Sequence, residues 1–257
     1  MSRSGARAAL VTGAVRRVGA AIAERLASRG VAVVIHGSAR SEPDAAGLAR
    51  DLRARGLQAR HIIADLAQPS GVETLLRQAT ESFGPLDVLI NNASIFEDDA
   101  IETFTSELFD RLLAVNLRAP LLLAQGFAAQ ADGRSDPSIV NILDQRVLAP
   151  NPLYLSYTLS KAGLAMATTV LAQALAPRIR VNAVAPGPVL PNAHEGSARF
   201  EAEVAEVPLQ RSVSLEAVAD AIDYLVEARH VTGQTIAVDS GQRLAWRTPD
   251  VLASMGK

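Results

Sequence analysis

Apolar residues fall in short runs separated by polar stretches of helical spacing, and this alternation continues to the end of the chain. Residues 8–11 (Ala-Ala-Leu-Val) form the first uniformly apolar run. Ile22, Ala23 and Leu26 then recur at helical spacing through residues 20–29, and Gly30 stands where that helix would stop. Residues 31–35 form a second apolar run. The same reading predicts helices over 42–55, 69–83, 106–130 and 215–228, and one around Tyr157. It predicts further strands over 59–63, 88–90, 138–143, 180–184 and 235–238, with an irregular stretch from about 185 to Pro208. Strands alternating with helices predict a parallel sheet covered on both faces. With no linker, low-complexity tract or internal repeat, residues 1–257 read as a single doubly wound α/β domain with about seven strands. In such a sheet ligands gather at the carboxyl ends of strands, where Gly13, Asp65, Asn91, Asp144 and Pro186 fall.

Composition narrows the function. With 49% apolar and 20% charged residues the chain can bury a large core. A formal net charge of -2 argues against a general nucleic-acid or membrane-surface binder and leaves a small molecule as the expected partner. The absence of cysteine excludes disulfides, thiol catalysis and cysteine-held metals, and no metal site is expected. The first apolar run is broken by Thr12 and Gly13, unlike the core of a signal peptide. The longest uncharged helical stretch, 162–176, falls short of the roughly 20 residues a membrane span needs. It is apolar nearly all round, so more than one of its faces must be covered, and a subunit interface is one way. A cytoplasmic address is expected.

Two motifs carry chemistry. The first is the turn Thr12-Gly13-Ala14-Val15-Arg16-Arg17-Val18-Gly19 between the first strand and helix. Strand, glycine turn, helix and strand make a βαβ unit that aims a helix N-terminus at a pyrophosphate. The second is Tyr157-Thr158-Leu159-Ser160-Lys161, whose tyrosine and lysine share one helix face, one turn apart. A lysine there favours the phenolate and lets the tyrosine act as an acid or base nearer neutral pH. Asp144 precedes Tyr157 by thirteen residues.

The chain resembles the short-chain dehydrogenase/reductase family over nearly its whole length. The resemblance rests on Thr12-Gly13…Gly19, Asp65-Leu66, Asn91-Asn92-Ala93, Val115-Asn116, Tyr157…Lys161 and Pro186-Gly187, in the family's order and approximate spacing. It implies that Tyr157 donates a proton and that Lys161 lowers its pKa and binds the nicotinamide ribose. It also implies that Asn116 supports a water relay to Lys161 and that Pro186-Gly187 lies by the nicotinamide. Asp65 as a helix cap, Asn116 as a buried kink residue and Pro186-Gly187 as a simple loop are the alternatives. Cofactor contacts are then expected from Gly13, Arg16, Arg17, Val18 and Gly19, and from His36, Arg40 and Ser41 after the second strand. Asp65, Leu66, Asn92, Ala93, Ser94, Tyr157, Lys161, Pro186 and Gly187 complete that set. An acid after the second strand would bind ribose hydroxyls and repel a 2′-phosphate. Here His36-Gly37-Ser38-Ala39-Arg40-Ser41 has none before Glu42, and Arg16 and Arg17 lie in the nearby turn, so NADPH/NADP is the expected cofactor.

Three departures from the common family pattern point one way. Arg17 replaces the middle glycine of the turn, Asp144 replaces a serine, and Asn-Asn-Ala extends to Asn91-Asn92-Ala93-Ser94-Ile95-Phe96. Together these resemble the pteridine reductases, which implies that Phe96 and the nicotinamide sandwich a pterin ring. Arg17, Ser94, Asp144 and Tyr157 would supply its polar contacts. A carboxylate accepts from the ring's amino edge better than a hydroxyl does. Residues 191–195 match no readable pattern, and His194 could touch substrate or be solvated. The expected function is NADPH-dependent reduction of a pterin or folate-type ring by hydride transfer to a ring C=N, with Asp144, Tyr157, Lys161 and Asn116 as the catalytic group and a homotetramer as the assembly. A general carbonyl or 3-oxoacyl reductase is the enzyme alternative, and an NADPH-binding sensor the non-catalytic one.

Overall fold

The computed structural model describes residues 7–191 and 196–245. Among these, seven strands form one parallel sheet: β1 (Ala8–Val11), β2 (Ala32–Gly37), β3 (Ala59–Ile63), β4 (Val88–Asn91), β5 (Ser138–Ile142), β6 (Arg180–Pro186) and β7 (Thr235–Val238). Their order is β3-β2-β1-β4-β5-β6-β7, so the winding reverses between β1 and β4. That reversal opens a crevice at the carboxyl ends of β1 and β4, the place such sheets reserve for ligands.

The pleat sends alternate strand residues to opposite faces, and the helices follow. Val11, Val33, Ile35, Ile90 and Val140 pack with α1 (Arg17–Ser28), α2 (Glu42–Ala54) and α8 (Leu215–Glu227). Leu10, Val34, Leu89, Ile139 and Val181 pack on the other side with α3 (Pro69–Phe83), α5 (Ala119–Ala129) and α6 (Leu155–Leu175). Both faces of the central strands are therefore dry. This is why β1, β2 and β4 read as continuous apolar runs and not as alternation.

The expected helix over 106–130 is three pieces. It comprises α4 (Ser106–Leu113), a π-helical turn over Ala114–Arg118 and α5. Such a turn inserts one residue into the helical ladder and commonly marks a functional position; here it holds Asn116. The run Ser106–Ala129 is also long and apolar enough to cross a membrane by length and composition, which the 162–176 stretch is not. Its Leu112, Ala119, Leu123 and Phe127 are buried in this fold.

A second correction concerns the stretch expected to be irregular up to Pro208. It contains α7 (Gly196–Glu206), none of whose residues is buried. Ala198, Ala202, Ala205 and the intervening glutamates favour a helix by propensity, but no apolar stripe announces it. Residues 192–195, including His194, lie outside the described residues.

Candidate active site

The glycine turn is built by close approach. Gly13 has φ +61, and a Cβ on it would lie 2.8 Å from the Cα of Ala93, so only glycine fits between the ends of β1 and β4. Thr12 Oγ1 accepts from the amides of Asn92 (2.9 Å) and Ala93 (3.0 Å), and Asn92 Nδ2 donates to the carbonyls of Thr12 and Gly13. His36 closes the third side. Its Nδ1 accepts from the Gly13 amide (3.1 Å), so Nε2 carries the proton and donates to the Ala64 carbonyl (3.2 Å). Burial pushes the His36 pKa down to about 4, with the Ala64 bond opposing it, and the neutral ring serves as a strut between β1, β2 and β3. Arg17 occupies φ +52, a left-handed conformation that suits the glycine usual there, and its Nη2 donates to the Leu190 carbonyl (3.0 Å). Arg16 pairs with Asp44 at 3.2 Å.

Past β2, Ser41 Oγ turns inward, accepting from the Ser38 amide and donating to its carbonyl, while Arg40 is exposed. Asp65 Oδ1 accepts from the Ala67 amide (2.9 Å), a local turn ahead of α3, whose N-cap is Gln68, and Asp65 also lines the cleft. Gly187 packs so tightly that a Cβ would sit 2.7 Å from the Cα of Asp239.

At the carboxyl end of β5, the Tyr157 hydroxyl donates to Asp144 Oδ2 over 3.0 Å. Asp144 Oδ1 accepts from the Arg146 amide (2.9 Å), with the Arg146 guanidinium Nε 3.9 Å away. The Phe96 ring meets Tyr157 edge-on at 4.7 Å and stacks on Tyr154 at 4.4 Å, and Arg146 lies 4.8 Å over Tyr154. Burial first, then the charge and hydrogen bond of Asp144, hold the Tyr157 pKa well above the ordinary phenol range. The Arg146 charge works against this. Lys161 Nζ lies 5.8 Å from the Tyr157 ring centroid and donates to the Ile142 carbonyl at 2.7 Å. Burial lowers its pKa to about 8, with Asp144 opposing. Asn116 sits in the π-helical turn. Its side chain is spent on protein: Oδ1 accepts from the Ile95 amide (2.8 Å) and Ser94 hydroxyl (3.2 Å), and Nδ2 donates to the Ile95 carbonyl and Ser160 Oγ.

A cleft of about 1200 Å³ runs across the crevice. Of the expected site residues, it is lined by Gly13 and Arg16 to Gly19, His36, Arg40, Ser41, Asp65, Leu66, Asn92 to Ser94, Phe96, Asp144, Tyr157, Pro186 and Gly187. Lys161 and Asn116 stand behind this wall. The profile of the family described as short chain dehydrogenase matches residues 7–201. The chain belongs to the short-chain dehydrogenase family. Within that family it is 38% identical to an uncharacterized oxidoreductase of Methylorubrum extorquens, over 95% of this chain and all of the other. It is 31% identical to the 3-oxoacyl-[acyl-carrier-protein] reductase FabG of Staphylococcus aureus, over 91% and 97%. Among solved structures it is similar to FolM alternative dihydrofolate reductase 1 of Brucella canis complexed with NADP, with 45% identity, 95% and 97% coverage and a TM-score of 0.92.

Three residues of this short-chain dehydrogenase site have no motif in the sequence. Tyr154 and Arg146 complete the aromatic stack, and Asp99 holds the start of α6. Their proximity to Tyr157 follows from the loops after β4 and β5 meeting at the carboxyl end of the sheet.

Proposed function

We propose that the chain is an NADPH-dependent reductase of a pterin- or dihydrofolate-type ring. The observation that carries this reading is the Asp144 carboxylate bonded to the Tyr157 hydroxyl at 3.0 Å with the Phe96 ring beside it. A flat ring bearing an amino edge matches this set. An aromatic face packs against it, an acceptor-only carboxylate takes its N–H groups, and a phenolic proton stands ready for a ring nitrogen. The likeness to FolM alternative dihydrofolate reductase supports the same reading.

The residues fit a dinucleotide. The N-terminus of α1 has no side-chain cap and no acid in its first turn, which leaves its amides and dipole for a pyrophosphate. Arg40 and the acid-free end of β2 suit a 2′-phosphate, and the similar Brucella structure holds NADP. When bound, the reduced nicotinamide supplies the hydride that goes to the electron-poor carbon of the ring C=N. Tyr157, kept protonated by burial and Asp144, delivers the proton to the nitrogen. Asp144 orients both the phenol and the ring, and Arg146 keeps that carboxylate compensated. Phe96 fixes the plane of the ring, and Asn116 fixes the segment carrying Phe96. Stacked alignment provides much of the acceleration.

The reading includes a homotetramer in the cytoplasm. Leu159, Met166 and Val170 present an exposed apolar stripe on α6, suited to a second copy. The FabG likeness favours one rival, a 3-oxoacyl or general carbonyl reductase. The deciding experiment follows NADPH oxidation with biopterin, dihydrobiopterin, dihydromonapterin, dihydrofolate and acetoacetyl thioesters. Turnover of the ring substrates supports the proposal. Turnover of thioesters alone selects the rival, and NADPH binding without any turnover selects a sensor.

A further inference from the structure

Between β4 and α4 the chain runs through residues 92–105 without helix or strand, yet it brings Ser94 and Phe96 into the site. Beyond the bonds of Asn92 and Ala93 to Thr12 and the exposed Glu97–Arg111 pair, two buried anchors hold this segment. The first is Asn116, which grips residues 94 and 95 as described above. The second is Asp99, an aspartate only 3% exposed that lies outside the cleft lining. Its backbone carbonyl accepts from the Leu155 amide (3.1 Å), its Oδ1 accepts from the Ser156 amide (3.0 Å), and its Oδ2 accepts from the Ser156 hydroxyl.

Leu155 and Ser156 are the first two residues of α6, the helix that carries Tyr157 and Lys161. That helix opens from Tyr154 in the left-handed conformation (φ +57) and has no side-chain cap of its own. Its first amides need an acceptor, and its N-terminus favours a negative charge. Asp99 meets both needs from a distant part of the chain. Tyr157 follows Ser156 directly, and Phe96 lies three residues before Asp99 with its ring edge-on to Tyr157 and stacked on Tyr154.

We infer that Asp99 is a positioning residue that locks the Phe96 segment onto the N-terminus of α6, so that the stacking ring and the proton donor keep one fixed separation. It acts through Phe96 and Tyr157. The lock itself is independent of the substrate, while its kinetic consequence rests on the ring-reductase reading.

The test compares Asp99→Ala, Asp99→Asn and Ser156→Ala by hydrogen–deuterium exchange of the intact chain, NADPH binding and steady-state kinetics. Asp99→Ala should speed exchange over residues 93–105 and the start of α6, leaving β1 and α1 unchanged. NADPH affinity should stay level while KM for a dihydropterin rises at least about tenfold, since both charge-assisted hydrogen bonds of the carboxylate are lost. Asp99→Asn, which keeps an acceptor for the Ser156 amide, should recover most of this. Ser156→Ala, which removes only the hydroxyl bond, should show a milder form even if Asp99→Ala does not fold. In a Phe96→Ala background, Asp99→Ala should add little, because the ring it positions is gone. Unchanged exchange over 93–105, equal loss of NADPH affinity, or full additivity with Phe96→Ala would each overturn the inference. A wild-type protein with no dihydropterin turnover would sink the substrate reading alone, since the exchange measurement still decides the lock.

Discussion

The Tyr157 hydroxyl donates to Asp144 Oδ2 over 3.0 Å, and burial together with that carboxylate holds the phenol in its protonated form. A proton donor that keeps its proton suits reduction. Tyr157→Phe should therefore lower kcat by about 10²–10⁴, the usual range for one general acid, with NADPH affinity nearly intact. Asp144→Ser restores the residue common in the family. It should cost a few kcal/mol in kcat/KM for a dihydropterin, of order ~2, while a simple diketone tolerates it. Parallel kinetics on both substrates check this, and unchanged dihydropterin efficiency in Asp144→Ser would remove the ring-specific role.

Phe96 touches Tyr157 and Tyr154 and lines the cleft. Phe96→Ala should raise KM for a dihydropterin by the equivalent of about 1–3 kcal/mol, taking base-on-aromatic stacking as the guide. NADPH affinity, measured by fluorescence of the bound nucleotide, should not move. A drop in NADPH affinity matching the loss of pterin binding would place Phe96 in the cofactor half of the cleft instead.

Cofactor choice depends on charge after β2, where Arg40 is exposed and no acid precedes Glu42. The wild-type protein should prefer NADPH over NADH by at least about tenfold in kcat/KM, consistent with charge-assisted contacts to a 2′-phosphate. Arg40→Asp should erase most of that preference with little effect on stability, and salt should weaken the wild-type preference. Equal efficiency with both cofactors in the wild type would refute this account.

His36 links folding to pH. Its pKa is about 4 in the fold against 6.5 ordinarily, so the folded protein binds fewer protons than the unfolded chain between those values. The contribution is fully present above about 6.5 and is lost as pH falls towards 4. From pH 7 to pH 5 the wild-type protein should lose about 2 kcal/mol through this group alone. His36→Asn, which does not titrate, should show a correspondingly flatter slope in urea unfolding. Identical slopes would mean that the ring does not keep its strut when the protein folds.

The glycine turn, the strands that bury both faces and the pair Tyr157 and Lys161 were legible in the residues because each is a local pattern. Apolar runs, helical spacing and a turn that only glycine can make are set by neighbours a few positions apart. By itself the sequence therefore determined the βαβ framework, the family and the chemical types at the strand ends. Helix α7 escaped because it buries no residue, so no periodicity marks it. Tertiary structure alone decided the partners. Asp99 caps a helix that begins 56 positions later, at Leu155, and His36 takes its proton-acceptor role from Gly13. Lys161 is turned to the Ile142 carbonyl while Arg146 becomes the cation nearest Asp144. Hydrogen bonds and charge pairs depend on which loops the sheet order brings side by side, and that order is settled by packing across the whole domain.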